Sequence, residues 1–318
     1  MTGEITPQSP NPRPTDLGLL WQPNRTLHKR VEKTVQTVFA SFALISVATT
    51  IGIVAALMYE TVEFFKEVPL WDFLTQTRWT PLFGSAQFGI MVLISATFRT
   101  SAISMLVAVP LGMLAAICLS EYASPRLRGI LKPLLEILAG IPTVVFGYFA
   151  LLFLTPLLQN FIPPLQGFNS LSAGLVLGIA ITPLVASLSE DAIYAVPQSL
   201  RDGSYALGAT KRETIISVVL PAALSGIVSS LILAASRAIG ETMIVTLAAG
   251  QTANLGLNPF VPVMTMTAFI VEVSKGDVEV ASIGFKTLFA VGMTLFIITL
   301  VLNIFSFWFV RRFREKYE

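Results

Sequence analysis

The sequence predicts an all-α integral membrane protein with six transmembrane helices, and three observations carry that prediction. Of its 318 residues, 54% are hydrophobic and 13% charged, with a mean hydropathy of +0.74, which is far more apolar than a soluble domain. Runs long enough to cross ~30 Å of hydrocarbon recur at about 37–59, 88–119, 131–158, 171–196, 222–250 and 283–310. The basic residues, finally, fall almost entirely on one side of those runs. Backbone groups in lipid must be satisfied within helices or closed barrels, so the runs read as helices.

Residues 1–34 form a polar leader, expected on the cytoplasmic side. Up to about residue 24 it carries Pro7, Pro10, Pro12, Pro14 and Pro23, a composition that cannot bury a core and predicts disorder. No short apolar stretch with a cleavage site follows, so no removable signal peptide is expected. Residues 35–318 then make one six-helix domain. Placing the leader in the cytoplasm gives that side Arg13, Arg25, Lys29, Arg30, Lys33, Arg126, Arg128, Lys132, Arg201, Lys211, Arg212, Arg311, Arg312, Arg314 and Lys316. The other side receives Lys66, Arg78, Lys275 and Lys286, so the positive-inside rule puts both termini in the cytoplasm.

In the first outer loop, about 60–87, Phe64, Phe65, Trp71, Phe73, Trp79 and Phe83 read mostly as interfacial anchors. The next run exceeds one perpendicular crossing, which lets Arg99 snorkel to water from the outer end; a place in a substrate path is the other reading. Pro110 in the second run, Pro142 and Pro156 in the third and Pro183 in the fourth imply kinks. Gly174 and Gly178 have the spacing that permits close helix contact. Glu136 follows Lys132 by four residues, which predicts an interfacial ion pair.

Between the fourth and fifth runs, the inner loop at about 197–221 holds two helix-start signals. Ser199 with Asp202 reads as one capping box and Thr210 with Glu213 as another, with Gly208 stopping the first short helix. Two capped helices on a loop make a knob suited to another protein's groove; a simple chain reversal is the plainer alternative. Gly203 and Gly208 imitate a phosphate-binding loop, but Ala209 and Thr210 follow and the required Lys is missing, so no ATP binding is expected here.

The fifth run contains Arg237 and Glu241, four apart and expected on one helix face at membrane depth. Ionised groups there are costly, ~2.5–3.5 kcal/mol on insertion scales, and normally face a protein interior or a watery path. Either of two roles fits: an oxyanion site built on the guanidinium fork, or a buried structural salt bridge. Cys118 reads as a small packing residue, and with His28 in the leader neither a metal site nor a Ser-His triad has its parts. No catalytic residue is therefore expected. Nor does the small net charge of +2 indicate nucleic acid, since the basic residues follow topology.

The inner loop resembles the EAA loop of ABC-transporter permeases. Asp202, Gly203 and Ser204 stand at the triplet, followed by Gly208, Val218 and the closing Leu220 and Pro221. The runs 237–243, 141–147 and 206–210 further resemble the PstC-type permease subunit of the bacterial phosphate transporter, over nearly all of the chain after about residue 35. That resemblance implies a MetI-like ABC importer fold in the bacterial inner membrane and a heterodimer with a PstA-type permease. It also implies a PstB-type ATPase dimer, which uses ATP and Mg while this chain binds no cofactor, and a periplasmic PstS-type phosphate-binding protein. It places Arg237 and Glu241, with Thr242 beside them, in the substrate path, and Asp202, Gly203, Ser204, Ala206, Gly208 and Ala209 in the ATPase dock. On this reading Arg237 donates to phosphate, while Glu241 orients the guanidinium and accepts from a P–OH group. A permease for another oxyanion, a secondary anion transporter and a membrane sensor remain as alternatives.

Overall fold

The computed structural model describes residues 25–82, 86–276, 278–279 and 282–313. The expected disorder of residues 1–24, together with Arg13, Phe83, Arg314 and Lys316, lies outside that range. Helix α1 spans Arg25–Glu67, so it already includes the last part of the 1–34 leader, and no break marks the expected boundary. Residues up to Ala56 form one unit; everything from Leu57 onward forms a second, in which the site lies.

In the second unit α2 (Leu70–Thr75) precedes the long α3 (Met91–Ile117), which ends in a π-helical turn, Cys118–Tyr122. The amphipathic α4 (Pro125–Ala139) leads to α5 (Thr143–Phe149), a π-turn at Ala150–Leu154 and α6 (Thr155–Gln159). Helix α7 (Ser170–Tyr194) crosses back, and the short α8 (Gln198–Ala206) and α9 (Lys211–Thr214) run through a π-turn into α10 (Leu220–Ile239). After α11 (Met243–Ala248) and α12 (Met266–Lys275) comes the terminal α13 (Ile283–Phe313).

Among the described residues five helices are long and apolar enough to cross a membrane, and α4 with α5–α6, apolar enough together but bent by 81°, makes a sixth when the pair is counted as one span. The expected third crossing is thus broken, not kinked. Pro142 lacks a backbone N–H and stands just before α5, while Pro156 opens α6 after the π-turn; Pro110 and Pro183 lie inside α3 and α7. Likewise the fifth run does not continue to residue 250: α10 stops at Ile239, at Gly240, whose lack of a side chain disfavours helix.

Small residues bring α3 and α7 together. A Cβ on Gly178 would lie 2.6 Å from Val107 Cβ, and one on Gly174 2.7 Å from Ile103 Cβ, so the predicted close contact forms against α3. Around this seam Ala96, Ala108, Val176, Ile181 and Val185 pack with Ala234 and Ala238 of α10 and Ile244 of α11. A second core corrects the anchor reading of the outer loop. Phe64, Phe73 and Trp79 are buried and meet edge to face, with Trp79 reaching Phe269 of α12 at 4.9 Å, whereas Trp71 is 74% exposed. Aromatic rings that find one another bury more area than rings at an interface.

Gly178→Val should destabilise the protein by ~1–3 kcal/mol through overpacking against Val107 and the Ser104 carbonyl. Gly129→Ala meets nothing within 4 Å and should not destabilise it. Thermal unfolding of the purified protein distinguishes the two.

Candidate functional site

The two helix breaks meet at one cavity. Residues Leu135, Glu136 and Ala139 at the end of α4 and Arg237, Gly240 and Glu241 at the end of α10 line a space of about 790 Å3, closed by α7 and by Thr299 and Asn303 of α13. Beyond the breaks α5 and α11 pack so closely that a Cβ on Gly147 would sit 2.8 Å from Leu247 Cδ1. Each break therefore opens the cavity on one side and is sealed on the other.

Arg237 sits in the last turn of α10, exposed to this cavity, and makes no hydrogen bond or ion pair with any described residue. Its neighbour Ser236 has a buried Oγ without a partner. The expected pairing of Arg237 with Glu241 does not occur. The chain has left the helix at Gly240, and Glu241, 8% exposed, turns its Oε1 to accept from the backbone N–H groups of Met243 (3.1 Å) and Ile244 (3.4 Å). Freed N–H groups at the start of α11 need an acceptor at membrane depth, and this carboxylate supplies it. The Glu241 carbonyl accepts from Thr267 Oγ1 of α12 at 2.7 Å, which anchors the break. Thr242, also predicted for the path, is not among the cavity's lining residues; its hydroxyl reaches the Gly240 carbonyl at 3.4 Å.

Charges on the neighbouring α4 are also rearranged. Lys132 does not pair with Glu136; its Nζ binds Glu190 Oε2 and Asp191 Oδ1, both at 2.7 Å. Arg128 pairs with the same fully buried Glu190 and lies 3.9 Å over the Tyr194 ring. Glu136 is left exposed, with no partner among the described residues. Sequence reasoning missed Glu190, although an acid at the end of the apolar 171–196 run was a usable signal. Arg99 meets loop carbonyls: its Nη1 donates to Gly256 and Asn258, both exposed, in the segment after α11, while its Nε and Nη2 are buried.

The knob forms with one correction. Helix α8 starts at Gln198 behind Pro197 with no side-chain cap, so the Ser199–Asp202 box is absent; Asp202 Oδ1 instead accepts from Gln198 Nε2 at 3.1 Å. The Thr210–Glu213 box is present, and Gly208 takes φ +85°, the left-handed geometry of a helix stop. Asp202, Gly203 and Ala206 are exposed, Leu207 is 91% exposed, and Ala209 is half-buried. Ser204 Oγ lies 2.9 Å from Thr214 Oγ1, tying α8 to α9. Underneath, the buried Arg201 ties the knob to the bundle: Nη2 binds Glu121 Oε1 at 2.9 Å and the Ile193 carbonyl at 3.0 Å, and Nη1 binds the Val196 carbonyl.

Comparison with known proteins agrees with this layout. Residues 108–317 match the family model described as binding-protein-dependent transport system inner membrane component. The chain is 34% identical to a probable ABC transporter permease protein, YqgH, of Bacillus subtilis, over 81% of this chain and 84% of that one. It is 35% identical to the probable phosphate transport system permease protein PstC of Methanocaldococcus jannaschii, over 72% and 77%, and 35% identical to PstC of Mesorhizobium japonicum, over 76% and 78%. Among solved structures, a chain of a bacterial alginate ABC transporter superposes with a TM-score of 0.57 at 17% identity, covering 91% of this chain and all of that one. A chain of the MetNI methionine transporter gives 0.52 at 18% identity, over 71% and 95%. At these identities the structures speak for the fold.

Glu241→Ala should leave the Met243 and Ile244 N–H groups without their acceptor, at ~1–3 kcal/mol. Glu241→Gln keeps an oxygen and should lose less. Hydrogen exchange across 240–248 checks both, with faster exchange expected for the Ala variant.

Proposed function

The chain belongs to the family of binding-protein-dependent transport system inner membrane components and, within it, to the PstC-type permeases; from that premise we propose that it forms half of the phosphate path of an ATP-driven importer. It is a multi-pass inner-membrane permease that works with an ATPase and a periplasmic binding protein. On our reading those partners are a PstB-type ATPase dimer and a PstS-type phosphate-binding protein, and a PstA-type permease supplies the other half. Both termini lie in the cytoplasm, and ATP and Mg are bound by the ATPase.

The observation that carries this reading is Arg237: a guanidinium without a partner among the described residues, facing a cavity walled largely by apolar helices. Five N–H donors in a planar fork suit an oxyanion, and charge-assisted bonds of this kind are about twice as strong as neutral ones. Glu241 acts indirectly. By closing the start of α11 it holds the break that ends α10 at Arg237, so it positions the arginine without touching it.

Movement enters at the knob. Closure of the ATPase pushes on the exposed ridge of Asp202, Gly203, Ala206 and Gly208, while Ala209 and Ser204 keep α8 and α9 together. Arg201 passes the load to Glu121, in the π-turn that ends α3, and to the end of α7. Because α3 and α7 are locked through Gly174 and Gly178, they shift together, and the cavity opens by shear of near-rigid helices.

In cells lacking this chain, wild type should restore radiolabelled phosphate uptake and Arg237→Gln should not, at matched membrane abundance. Equal rescue by both removes Arg237 from the path. Gly208→Pro cannot adopt φ +85°, since the ring holds φ near about −65°. It should insert normally yet separate ATP hydrolysis from uptake, and normal coupled uptake by that variant would remove the docking role.

A further inference from the structure

We propose that Glu136 is the release gate of the anion path, a carboxylate that keeps a translocated oxyanion from settling at Arg237; this rests on the phosphate-path reading above. Helix α4 carries Arg128, Lys132 and Glu136 at intervals of four, hence on one face. All three line a second cavity, of about 600 Å3. Glu136 is also the one described residue that this cavity shares with the larger cavity of Arg237. The smaller cavity in turn shares Ser120 and Tyr194 with a cleft of about 490 Å3 beneath α8, lined by Arg201 and Tyr205. Glu136 therefore stands between the space at Arg237 and the spaces toward the knob.

The charges along that route differ in state. Arg237 has no partner among the described residues, whereas Arg128 and Lys132 are already neutralised by Glu190 and Asp191. Between them Glu136 has lost its sequence neighbour Lys132 to those acids and presents an uncompensated carboxylate. An anion leaving Arg237 meets repulsion first and only weak attraction afterwards. Without the carboxylate nothing on this side opposes the hold of Arg237, and a path conducts only when its sites let the ion leave. One like charge in a watery cavity changes anion retention by roughly tenfold.

The test is retention of radiolabelled phosphate by the purified, fully assembled transporter, measured by equilibrium dialysis alongside uptake in cells. Glu136→Gln should raise retention about tenfold and slow turnover, Glu136→Asp should keep retention low, and Glu136→Gln combined with Arg237→Gln should lose the gain. A second measurement holds the fold constant. In a Cys118→Ala background, Glu136→Cys modified with a negatively charged thiol reagent should retain little phosphate, and modified with a neutral reagent of similar size it should retain more. Unchanged retention in Glu136→Gln, or equal retention after both reagents, overturns the gate while leaving the phosphate path intact if Arg237→Gln still abolishes uptake. Wild-type uptake by Arg237→Gln is the separate result that removes the path itself.

Discussion

A helix interrupted at membrane depth has to find partners for the backbone groups it frees, and this structure depends on how two interruptions meet that demand. At the first, Gly140 and Ile141 donate back to the end of α4, and Pro142 has no N–H to satisfy. At the second, the Glu241 carboxylate takes the N–H groups that open α11, and Thr267 takes the Glu241 carbonyl. The helices that follow the two breaks seal against one another at Gly147. What remains open is the space between the two ends, and Arg237 faces it.

The same constraint explains why the buried Glu190 and Arg201 are paired while Arg237 and Glu136, which face a cavity, have no partner among the described residues. Glu190 is wholly buried and draws in both Arg128 and Lys132; Arg201 is buried and holds Glu121 and two carbonyls. Buried charges stay only when paired and hydrogen-bonded. These clusters sit where the bundle meets the knob, so they tie the two together. Arg237 lies exposed at a cavity, so it is under no such demand.

Coupling between knob and cavity follows from packing. The π-turn at Cys118–Tyr122 ends the helix that is locked to α7, and α9 runs through another π-turn into α10, the helix that ends in Arg237. A displacement of α8 and α9 thus reaches the cavity along both of its long walls. The closeness of the glycine contacts leaves little room for either wall to bend alone.

The sequence by itself determined the membrane class, the six apolar crossings, the Thr210 box and the glycine stop at Gly208, because each rests on local composition or on spacing within a few residues. It also carried the resemblance to a permease family, through short motifs that survive without a fold. Only the tertiary structure decided partners. Lys132 left Glu136 for Glu190 and Asp191, Glu241 left Arg237 for the α11 backbone, Arg99 took loop carbonyls, and Phe64, Phe73 and Trp79 found one another instead of an interface. Spacing along a helix shows which groups can meet, but burial decides which of them must, since a group sealed from water takes the partner that the surrounding helices bring to it.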